Sequence, residues 1–132
     1  MSKGDERLTP ADELSERILD CAARIGKLVD AIPDTRLGRH VAAQIVRSGT
    51  SPVANYEEAR SAESRRDFVH KLGICLKELR ESRAWIRLLI RTELLSTKKL
   101  QPLLEECEQL MKIVGRSIVT AKRAGIKEKP KS

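Results

Sequence analysis

Residues 68–89 read FVHKLGICLKELRESRAWIRLL. Phe68, Leu72, Cys75, Leu79, Ser82, Ile86 and Leu89 recur at alternating steps of four and three. That period puts them on one stripe of an α-helix, whereas a half-buried strand needs a period of two. Ser64 with Asp67 three residues later forms a start signal of the capping-box type, with Asp in the usual Glu position. This is the clearest helix in the chain, and its neighbours repeat the pattern.

Upstream, Leu14, Ile18, Cys21, Ile25, Leu28 and Ile32 carry the same steps. Thr9 as N-cap, Pro10 at the first helical position and the acids Asp12 and Glu13 mark the start, and Pro33 marks the stop. A helix after the capping candidate Asp34 carries Leu37, Val41, Ile45 and Tyr56 on one side. Gly49 and Pro52 lie inside it, where they cost about 1 and 3 kcal/mol. The spacing survives across them, which predicts a kink near Pro52 rather than a break. After Ser96 or Thr97, Leu100, Leu103 or Leu104, Cys107, Leu110 or Met111, Val114 and Ile118 form a fourth row. Pro102 sits deep for a first-turn proline, which predicts a later start for that helix.

Four segments, each roughly 35–45 Å long at 1.5 Å per residue, joined by short links, make an antiparallel up-down-up-down four-helix bundle. The expected core brings Phe68, Leu72, Leu79, Ile86 and Leu89 together with Ile18, Ile25, Leu110 and Val114. Residues 1–8 and 124–132 are polar and charged and read as disordered ends, leaving 9–123 as one all-α domain.

The chain has 132 residues, enough for one domain. Aromatic residues are only 2% (Tyr56, Phe68, Trp85), which disfavours a β-sandwich and a base-stacking platform. No apolar run approaches a membrane span or a leader, and three cysteines, Cys21, Cys75 and Cys107, read as reduced thiols of a cytoplasmic protein. Glycine-rich phosphate loops, H-E-x-x-H and C-x-x-C are lacking. Asp67-x-x-His70 is a single copy of a motif that a di-iron bundle needs twice, so it reads as surface, as does His40. The cysteines hold apolar seam positions and read as core. No catalytic residue, metal or cofactor is expected.

Net charge is +7. The segment from Lys122 onward carries Lys122, Arg123, Lys127, Lys129 and Lys131 against Glu128, so the rest of the chain is only mildly basic. Arg80, Arg83, Arg87 and Arg91 form one stripe on the third helix, extended by Lys77, with Arg65 and Arg66 at its start. Such a stripe tracks phosphates, with Lys122 and Arg123 adding to it, or else pairs with acids such as Glu78, Glu81, Glu105 and Glu108.

A polar row runs along the second helix: Gln44, Ser48, Ser51, Asn55 and Glu58, with Arg47 beside it. The third helix offers Asp67, Lys71, Ile74, Glu78, Glu81 and Trp85 at matching steps. Facing each other, or facing a second subunit, the two rows build a hydrogen-bond network that sets register and partner choice. Small Ser and Gly residues are odd choices for a merely solvated helix face.

The strings QIVRSGTS (44–51) and ANYEEA (54–59), followed by DFVHKL (67–72) and LKELRESRAW (76–85), resemble the four-helix bundle proteins related to those encoded in 23S rRNA intervening sequences. The resemblance spans roughly Leu14 to Ala121 and departs at Pro52-Val53, where close relatives carry Val-Gly. It implies a cytoplasmic bundle assembled as a homopentamer. Accessory variability proteins of diversity-generating retroelements look like relatives, which implies RNA or DNA and a reverse transcriptase as partners. It brings no catalytic residues. Two functions follow: a nucleic-acid-binding accessory pentamer, or a scaffold whose partner is a protein, with an unrecognised enzyme a distant third.

Overall fold

The computed structural model of the protein describes residues 7–128, with side chains through Gly125. It contains α1 (Pro10–Ala31), α2 (Arg36–Arg60), α3 (Arg65–Arg91) and α4 (Thr97–Glu128), and no strand among the described residues. Each helix packs on its sequence neighbour, and α4 closes the square onto α1 along the thinnest of the four seams. This is the all-α, antiparallel four-helix bundle that the periodicity predicts.

Caps explain the boundaries. Thr9 and Asp12 form a reciprocal box: the Asp12 amide donates to Thr9 Oγ1 at 3.1 Å, and the Thr9 amide donates to Asp12 Oδ2 at 3.0 Å. Thr35, not Asp34, caps α2 by accepting from the Gly38 amide at 2.9 Å. Asp34 lies outside the helix and pairs with Arg39 instead. Ser64 caps α3 through the Asp67 amide at 3.0 Å. At its far end Glu93 adopts φ 57°, and the Leu94 amide reaches the Leu89 carbonyl at 3.2 Å. This is a Schellman stop with Glu where glycine is usual.

The two helix-interior prolines differ in outcome, and the expectation about Pro102 changes. α2 runs unbroken through Pro52, whose ring is fully buried and whose carbonyl accepts from the Cys75 thiol at 3.8 Å. Burial of the ring supplies what the missing amide bond takes away. α4 begins at Thr97 and not later, because Ser96 caps its first turn and Leu100 is buried. The amide that Pro102 lacks would have met the carbonyl of Lys98, an exposed residue that water can serve.

The expected core residues are buried, except Phe68, which is half-buried at the end of the bundle. Leu37 is exposed and not part of the packed side of α2. α4 extends past residue 124 through Glu128. Ala121 is buried against the start of α3, and Arg65 crosses α4 there, donating from Nη1 to the Ala121 carbonyl at 3.4 Å. Residues 1–6 and 129–132 of the expected ends lie outside the described residues.

Candidate functional site

The two polar rows meet each other, on the α2–α3 seam. At its centre Ser48 and Ser82 are fully buried and share a 2.8 Å hydroxyl–hydroxyl bond. One turn away, Arg47 Nη1 donates to Glu78 at 3.0 and 3.4 Å, and its Nη2 donates to Glu81. Glu78 is buried, which an acid tolerates only when paired and hydrogen-bonded. Trp85 Nε1 donates to the same Glu81 carboxylate at 3.2 Å, and the His40 ring stands edge-on to Trp85 at 5.7 Å. Toward the other end, Lys71 reaches Glu58 at 2.6 Å, and this bond raises the Lys71 pKa. Asn55 turns back onto its own helix, donating to Ser51 O and Oγ at 3.0 Å. Gln44 makes no side-chain hydrogen bond among the described residues. Arg47, Ser48, Glu58, Lys71, Glu78 and Glu81 therefore bridge the helices, Ser51 and Asn55 brace one of them, and Gln44 stands aside.

Arg80 and Arg83 of the basic stripe line the groove between α3 and α4. Arg83 does not stand free: its Nε donates to Glu108 of α4 at 2.8 Å. Lys77, Arg80, Arg87 and Arg91 are exposed and make no ion pair among the described residues. Across the groove stand Lys112, Arg116 and Arg123, with Arg80, Gly115 and Val119 between them. Arg123 is thus a helical groove residue rather than part of a tail, and Lys122 is exposed beside it on the same helix. Sequence reasoning missed Lys112 and Arg116 because α4 was read through its apolar row. Their steps to Arg123, four and then seven, were the available signal.

No three His, Cys, Asp or Glu side chains converge on a metal position among the described residues. Cys75 is pushed up to about 12, first by burial. Cys21 and Cys107 interact across the α1–α4 seam, and the Cys107 thiol is raised by that bond and by burial. No helix among the described residues is long and apolar enough to cross a membrane.

A third surface is apolar and open. Leu19, Ala22, Ala23, Thr50, Val53 and Ala54 line a shallow groove between α1 and α2, with Leu19 48% exposed, and Val46, one turn before Thr50 on α2, is 39% exposed.

The class these features define is an antiparallel four-helix bundle tied by a polar helix–helix seam and bearing a basic outer flank. Comparison with known proteins places it further. The profile of the 23S rRNA-intervening sequence protein family matches residues 13–116, and the chain belongs to that family. Among solved structures it is similar to a crystal structure of a protein of unknown function from the S23 ribosomal protein family of Bacteroides thetaiotaomicron VPI-5482. The two are 35% identical over 80% of this chain and 97% of that one, with a TM-score of 0.75. A search of curated proteins finds no match.

Proposed function

We propose that the protein is a non-enzymatic homopentamer that binds RNA or DNA through phosphates and serves as an accessory to a reverse transcriptase and its template. The observation that carries the binding reading is the α3–α4 groove, where Arg80 stands with Lys112, Arg116 and Arg123. Together with Lys77, Arg87 and Arg91, exposed on the same helix as Arg80, they hold a polyanion by charge without reading sequence. The resemblance to retroelement accessory proteins supports the choice of enzyme partner.

Assembly draws support from a different surface. The polar seam is consumed inside the bundle, so it leaves the apolar α1–α2 groove as the face that a second copy would cover. Gly26 continues that face on α1, and a Cβ there would meet nothing within 4 Å. A ring of five needs a head-to-tail contact, with this patch meeting a different surface of the next copy. Light scattering should return five times the 14.8 kDa chain mass, and Val46→Glu should lower it.

Binding is tested by fluorescence anisotropy with generic RNA and DNA across a salt series. Affinity should fall steeply with salt, because each neutralised phosphate releases counterions. Arg80→Glu with Arg87→Glu should abolish binding and leave the particle mass unchanged. Arg83 is a poorer choice, because its loss also frees Glu108. No binding at low salt, or affinity indifferent to salt, would replace this reading with a protein-binding scaffold.

A further inference from the structure

We infer that the end of the groove, between the start of α3 and the last turns of α4, holds a single unpaired nucleotide with its base against the Phe68 ring. The inference rests on the phosphate-binding reading above and adds to it a preference for unpaired strands.

The cleft has a volume of about 510 Å³, in the range of small-ligand sites. Phe68 and Ile113 form an apolar wall, Arg65 and Arg116 stand at its edges, and the hydroxyls of Ser117 and Thr120 line its side. Phe68 is the one large core-row residue of α3 left half-buried, so a ring face is available where the rest of the row is covered. Ser117 Oγ already donates to the Ile113 carbonyl at 3.0 Å, which leaves its lone pairs to accept from a base amine or imine. Arg65 is laid across α4 at Gly125, where a Cβ would stand 2.7 Å from Arg65 Cδ. Glycine at that position lets the guanidinium rest at the cleft edge.

Continuity separates a nucleotide of a strand from a small anionic amphiphile. Arg116 and Thr120 belong both to this cleft and to the next stretch of groove, which runs on past Arg80 and Gly115 to Arg83 and Lys112. Gly115 lies mid-helix on that floor, and a Cβ there would meet nothing within 4 Å. Packing does not call for a glycine there, and helix propensity disfavours one. Its absent side chain keeps the path open from the cleft to the arginines. A free headgroup or carboxylate needs no such path, whereas a sugar–phosphate chain does.

The experiment compares three DNA probes of one length by anisotropy with the full chain: a single strand, its blunt duplex, and the same strand with abasic sites. Charge alone favours the duplex, which carries twice the phosphates. Tighter binding of the single strand, by about tenfold over the other two, is the scale of one base–ring stack. Phe68→Leu keeps the apolar volume and removes the ring, and Thr120→Leu fills the cleft from an exposed position. Each should erase the single-strand advantage, and Phe68→Leu, whose ring lies outside the arginine groove, should leave duplex affinity, helicity and particle mass unchanged. Equal affinity for all three probes, or an advantage that survives both variants, overturns this inference and leaves phosphate binding standing. Failure to bind any probe at low salt overturns both.

Discussion

Replacing Gly49 with alanine should destabilise the protein, although alanine is the better helix former. Gly49 lies mid-helix in α2, and there Gly→Ala gains about 0.8–1.0 kcal/mol in propensity. Against that, an added Cβ would stand 2.6 Å from Ile25 Cδ1, 2.8 Å from its Cγ2 and 3.2 Å from its Cβ. Ile25 is buried and β-branched, so turning χ1 exchanges one close methyl for another. Relief requires α1 to back away, and overpacking of this kind costs about 1–3 kcal/mol. The net expectation is a loss of up to about 2 kcal/mol.

Gly73 supplies the control. It is mid-helix in α3, and a Cβ there would meet nothing within 4 Å, so Gly73→Ala should stabilise by about 0.8–1.0 kcal/mol. Urea unfolding of both variants at one protein concentration removes mass-action differences between assemblies. Ile25→Ala deletes both close methyls. Alone it should cost about 2–5 kcal/mol, but combined with Gly49→Ala it should cost about 1–3 kcal/mol less than the sum, the overpacking that is then absent. If Gly49→Ala raises stability as Gly73→Ala does, the close approach of α1 to α2 at this point is wrong. Strict additivity in the double variant would refute Ile25 as the obstacle.

Leu79 is 2% exposed in the centre of α3, so Leu79→Ala should cost about 2–5 kcal/mol in urea unfolding, where a surface change costs under about 0.5. Asp12 is held down to about 2 by the Thr9 amide first and by Arg60 second. A carboxyl lowered from 3.8 contributes stability above about pH 4 and loses it as the pH falls toward 2. Melts should therefore show Asp12→Asn flattening that part of the pH profile. Cys21, Cys75 and Cys107 are all buried, and Cys75 is pushed up to about 12. A thiol reagent at pH 8 should count no fast thiol in the native protein and three after unfolding.

The fold was legible because its signal is repeated. The rows of α1 (Leu14 to Ile32), α3 (Leu72 to Leu89) and α4 (Leu100 to Ile118) alternate steps of four and three, and α2 keeps a helical step of four from Leu37 to Ile45. Burial follows those rows because a period near 3.5 leaves one stripe per helix to cover. What escaped were contacts that no single helix encodes. Thr35 and Asp34 are both good caps, and only the position of Gly38 decides between them. Gly125 reads only as part of a polar end until Arg65 is seen lying across it. The polar rows were visible, but whether they faced each other or another subunit depended on how α2 and α3 are turned. Lys112 and Arg116 gained meaning only when α4 was set beside the arginine stripe.

One helix therefore carries three tasks on three faces. The Leu72–Leu79–Ile86 face of α3 enters the core, the Lys71–Glu78–Glu81–Trp85 face binds α2, and the Arg80–Arg83 face borders α4. Apolar packing alone tolerates rotation and sliding, since one aliphatic side chain substitutes for another at modest cost. Arg47 does not tolerate them: it grips two carboxylates one turn apart, and one of them is buried. Ser48 and Ser82 add a second fixed point, because either hydroxyl shifted by one position would be buried without a partner. The polar seam thus fixes α3 about its own axis, and that rotation determines which way the arginines face. Weakening the seam should disperse the basic groove before it unfolds the bundle. Arg47→Ala should accordingly impair any polyanion binding by the distant α3–α4 face, although Arg47 itself lies outside that groove.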